Sequence, residues 1–121
     1  MGIGTTNPQH LLHVAGTIGA EEVIKSATGA DYVFQPDYHL APLADVSAFV
    51  KENHHLPGIP SAADMQKEGL SLGDMQVELL AKVEELTLHM IEADERNKSL
   101  EQQNSQLQER IARLEAAGKA K

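Results

Sequence analysis

The stretch LLAKVEELTLHMIEADERNKSLEQQNSQLQERIARLE, residues 79–115, decides how this chain is read. With Leu79 taken as a d position, seam residues recur alternately four and three apart. The a positions are Val83, Met90, Asn97, Asn104 and Ile111, and the d positions are Leu79, Leu86, Ala93, Leu100, Leu107 and Leu114. A 3.5-residue period sustained over this length specifies a left-handed supercoil of several helices, not one helix lying on a globule. The flanking charges choose its orientation. Lys82, His89, Arg96, Gln103 and Arg110 occupy g; Leu80, Thr87, Asp94, Glu101, Gln108 and Glu115 occupy e. In a parallel, in-register assembly each g residue meets the e residue five later on a neighbouring chain. Arg96 then faces Glu101, Arg110 faces Glu115 and His89 faces Asp94. Such exposed pairs are worth only about 0.2–1 kcal/mol each, but an antiparallel pairing would set basic g residues against each other.

Asn97 and Asn104 interrupt the apolar seam one heptad apart. One reading is surface-like sequence in a fraying tail. The other is register control, because a buried Asn amide is tolerated where matched amides meet. Asn at a favours two strands, whereas Leu72, Leu79 and Leu80 widen the apolar stripe at the helix start. That width suits three helices, or a globular part packed on the coil there. The heptad alone leaves dimer and trimer both open.

Upstream, the pattern changes twice. Residues 1–40 are rich in Gly, Thr and β-branched residues, with Leu11, Leu12, Val14, Ile18, Val23 and Ile24 set between turn signals at Asn7-Pro8, Gly16 and Gly29. This predicts short strands, with Tyr32-Val33-Phe34 as a further extended piece stopped by Pro36. Residues 41–70 predict short helices joined by Pro/Gly turns. Leu43, Val46, Phe49 and Val50 recur at helical spacing, and with Leu56 and Ile59 they form the expected core. Pro42 suits a first helical turn. Ser61-Ala62-Ala63-Asp64 and Ser71-Leu72-Gly73-Asp74 have the form of capping boxes, and Gly69 suits a left-handed helix end. The coil helix is expected over 71–117, about 70 Å long, followed by a disordered tail at 118–121. Met1-Gly2-Ile3-Gly4 runs straight into a turn-rich motif, as expected of a piece cut from a longer chain.

Composition narrows the function. Aromatics make up 3% of the 121 residues, so a single-chain core is thin and burial shared between chains is favoured. A net charge of -8 disfavours nucleic acid and anionic membranes as partners. The chain has no Cys, which removes disulfides, thiolate chemistry and Cys-built zinc sites. The pairs His10/His13 and His54/His55 lack metal-ligand spacing: the first pair would sit on opposite faces of a strand, and adjacent side chains diverge. Local turn or helix-end roles are expected for them. Asp31 and Asp37 could be an acid–base pair, but turn and cap roles suffice. No catalytic residue, cofactor or metal site is assigned, and no enzyme is expected.

Several segments are familiar. Gly2-Ile3-Gly4-Thr5-Thr6-Asn7-Pro8, followed by Leu11-Leu12-His13-Val14-Ala15-Gly16-Thr17-Ile18, resembles the ending of many phage tail-fibre and bacterial fibre-like proteins. Ala30-Asp31-Tyr32-Val33-Phe34-Gln35-Pro36-Asp37-Tyr38 and His55-Leu56-Pro57-Gly58-Ile59-Pro60-Ser61-Ala62-Ala63 look like the C-terminal domain of Bacteroidetes fibre-type proteins. There a helix similar to Gly73-Asp74-Met75 and Leu79–Glu92 follows. More distantly, the layout is similar to the endosialidase-type intramolecular chaperone domain, whose Ser/Lys cleavage motif is lacking here. The resemblance implies an α+β homotrimer. In it, an intertwined β segment and short helices would precede a long parallel coiled coil. The implied role is trimerisation at the end of a fibre, with help in fibre folding. The implied place is extracellular: a virion, a phage-like injection particle or a cell surface. Two alternatives accompany it, a fibre tip that binds a receptor or glycan in host attachment, and a self-cleaving chaperone.

Overall fold

The computed structural model describes residues 1–26 and 29–119. Helices cover most of them. In chain order there are two strands, β1 (Gly2–Ile3) and β2 (His13–Val14), and a 3-10 turn at Asp31–Phe34. Then come α1 (Leu43–Asn53), α2 (Ala62–Glu68) and α3 (Leu72–Lys119).

The expected β-rich segment reduces to one small parallel pair, with Gly2 opposite His13 and Ile3 opposite Val14. The Met1 ammonium donates to the Leu11 carbonyl at 2.7 Å and extends this contact. Gly4 turns the chain away at φ 77°, and a Cβ there would lie 2.9 Å from the Ala15 carbonyl oxygen. Residues 15–26 form no strand, and Ile18, Val23 and Ile24 are exposed. Their β-branched side chains favour extension, but a strand needs a partner to receive its backbone groups, and none of the described residues pairs with them. The His10 and His13 rings, expected on opposite faces, instead lie with centroids 6.0 Å apart, because only His13 belongs to a strand.

Tyr32-Val33-Phe34 is also not a strand. The Val33 N–H donates to the Ala30 carbonyl, that of Gln35 to Tyr32 and that of Tyr38 to Gln35. These local bonds satisfy the backbone where no neighbouring strand exists. The turn drives Val33, only 1% exposed, against α3.

α1 begins after Pro42, whose φ of -58° is already helical, and ends at His54 with φ 60° and ψ 25°. A non-glycine residue in that left-handed region is strained. α2 shows half of its expected capping box, the Asp64 N–H donating to Ser61 Oγ at 3.2 Å. Gly69 ends α2 with the positive φ expected of it, but at ψ -178° it is mirror-extended and not left-handed helical. Ser71 Oγ accepts from the Asp74 N–H at 3.4 Å and starts α3. The helix then runs 48 residues, about 72 Å. It includes Gly118 and Lys119, placed by the sequence reading in a disordered tail; residues 120–121 of that tail lie outside the described residues.

The buried core is small and not where it was expected. It consists of Ala30, Val33 and Ala81, flanked by Tyr38, Val77 and Leu88. Val46, Phe49 and Ile59 are half-buried, and Leu43, Val50 and Leu56 are exposed. Of the expected core residues of α1, Leu43 and Val46 line a groove beside α3 without being sealed by it. Small Ala30 and Ala81 allow close approach, which is why the core forms there.

Candidate association face

α3 carries two stripes with different fates. Val77, Ala81, Glu84 and Leu88 fall at b and f of the heptad and lie under the chain's own head, with Lys82, Glu85 and His89 half-buried beside them. Leu79, Val83, Leu86, Met90, Leu100, Leu107, Ile111 and Leu114 hold the a and d positions and are all exposed, as are Ala93, Asn97 and Asn104. Every residue from Met90 to Lys119 is exposed. That is about 45 Å of helix without tertiary support, and helix propensity alone leaves such a segment marginal in water. Arg96, Glu101, Arg110 and Glu115 lie along the same exposed stretch. Asp94 pairs within its own chain with Lys98 at 3.0 Å, both side chains well exposed. An exposed i,i+4 pair is worth only about 0.3–0.5 kcal/mol and yields easily to another partner.

The head is held on α3 by a polar cluster with no local sequence signature. The Tyr38 hydroxyl donates to Glu85 Oε1. Lys82 Nζ donates to Glu85 Oε2 at 3.3 Å, so one carboxylate receives both. The Tyr38 phenol is pushed up to about 12, first by that hydrogen bond, then by burial and by the Glu85 charge. Glu84 is 7% exposed and its Oε2 has no hydrogen-bond partner. Burial raises its carboxyl above the ordinary 4.5, and the neighbouring Asp31 carboxylate adds to the shift by its charge and a shared hydrogen bond. At the base of α3, Lys25 reaches Asp74 at 3.7 Å and runs over Gly73, where a Cβ would collide with it.

Signals for the covered stripe were present in the sequence. Val77, Ala81 and Leu88 are apolar at heptad positions that usually face solvent, and their spacing of four and seven places them on one face. The Tyr38–Glu85 bond spans 47 positions and left no local signal.

Among the described residues no group of three or more His, Asp or Glu side chains could hold a metal ion. No described helix is long and apolar enough to cross a membrane. Comparison with protein-family models, curated proteins and solved structures found no match.

Proposed function

We propose that this protein is a structural assembly module. Three copies associate through a parallel, in-register coiled coil of α3, and they trimerise and steady the end of a fibre-like protein. The observation that carries this reading is the division of α3: the head packs on b and f positions and leaves the apolar a/d face open along the whole helix. Burying a Leu-sized side chain contributes about 1.5–3 kcal/mol, so closing the seam would supply the support that the exposed half of α3 lacks. The g and e charges favour parallel register. The wide apolar stripe of Leu72, Leu79 and Leu80, and the likeness of residues 2–18 and 30–63 to fibre endings, favour three strands over two. Exposed Ile18, Val23 and Ile24 are then available to pair with strands of the other copies as an intertwined β segment. The same likeness supports a place outside the cell, on a virion, an injection particle or a cell-surface fibre.

Leu100→Asp combined with Leu107→Asp tests this reading. Two charges buried in the seam should reduce the particle to single chains in sedimentation. An unchanged mass contradicts the seam.

Half-exposed Tyr32 and Phe34, with the Tyr32 and Tyr38 rings 5.9 Å apart, favour one second reading, a tip that binds a glycan by ring stacking. Glycan-array binding that is lost on Tyr32→Ala would select it.

A further inference from the structure

We propose that the groove between α1 and α3 receives Ile91 of a neighbouring copy, so that each head clasps the helix of the next chain. This rests on the parallel, in-register seam proposed above. The groove is walled by Leu43, Val46 and Leu56 on the head side and by Leu86 and His89 on α3. Leu86 is a d position and His89 a g position. Leu86 therefore cannot enter the seam without bringing the neighbouring helix to the mouth of this groove.

The neighbour's e side faces a g flank, and b positions border e around the helix. On that side of α3, beyond Thr87, Ile91 is the one large apolar residue at an e or b position. Its own head leaves it uncovered, since cover ends at His89 and Ile91 is 49% exposed. Ile91 cannot fill the groove of its own chain: two residues of helix turn it about 160° away from His89. In register, Ile91 of the neighbouring copy stands only about 3 Å along the axis from the level of His89. Each copy then gives one Ile91 and receives another, a head-to-tail contact that closes around the axis.

The absence of cysteine makes a cross-linking test clean. Leu43→Cys chains mixed with Ile91→Cys chains should form an interchain disulfide under mild oxidation. Leu100→Cys chains, crossing the seam at a d position, report the coil independently. A Leu100→Cys cross-link without a Leu43→Cys/Ile91→Cys one overturns the groove proposal and leaves the seam standing. If neither forms, both fail. A variant that keeps the fold gives a second readout: Ile91→Ser should weaken association roughly tenfold or more and leave the mass of the assembled particle unchanged. An unchanged association constant overturns the proposal.

Discussion

The Tyr38 hydroxyl donates to the Glu85 carboxylate across 47 positions of sequence and fastens the head to the long helix. The same carboxylate holds Lys82, so its charge is matched on one side and hydrogen-bonded on the other. Tyr38→Phe removes the donor and keeps the ring. It should loosen the head by about 1–2 kcal/mol, read as a lower melting temperature in tyrosine fluorescence. Tyrosine reports the head alone, since the chain has no Trp and its two Tyr residues both lie there.

The same bond predicts an alkaline signature. The folded Tyr38 phenol is raised from 10.0 to about 12. A group raised on folding contributes its stability below the unfolded value and loses it as pH climbs through the folded one. Spectrophotometric titration should therefore show one phenol ionising near 12, and Tyr38→Phe should abolish that component. A titration complete near 10 contradicts the bond.

Glu84 carries a pH dependence of the same sign, starting from the carboxyl range. Its carboxyl is raised by burial and by Asp31, so the protonated form fits the fold. Its contribution is present below about the ordinary carboxyl value and is lost as pH rises through the raised one. Glu84→Gln should make the head melt higher than the native chain at pH 8, with the two converging near pH 4. A lower melting point for the variant at pH 8 would show that the ionised carboxylate is stabilising there.

His54 sits in the left-handed region at the end of α1. His54→Gly should remove that strain and raise the stability of the head by about 1 kcal/mol. Loss of stability would mean that the ring holds α1 in place by contacts outside its backbone role.

What was legible in the sequence was what depends on local pattern. The heptad from Leu79 to Leu114 located the long helix, and Ser61 and Ser71 marked helix starts within a residue of those observed. The strands expected from Ile18, Val23 and Ile24 did not form, because β structure needs a partner that propensity cannot supply. Leu43 and Leu56 read as core but line an open groove, while the tight contact went to Ala81 and to Ala30, the latter too small to announce burial by itself. Glu84 was hidden by its charge: a lone Glu on a helix reads as solvated surface until the turn that covers it is placed.

Asn97 and Asn104 test the link from seam to strand number. Asn97→Ile with Asn104→Ile should raise the melting temperature, since each replaces a polar group at an a position, while allowing a mixture of oligomers. An unchanged or lower melting temperature contradicts a role in which these residues trade stability for register.

Self-association into three chains sets the mass of the particle in solution. Multi-angle light scattering at micromolar concentration should give three times the 13.1 kDa of one chain. Twice that mass would replace the trimer with a dimer, and the mass of a single chain would contradict the account.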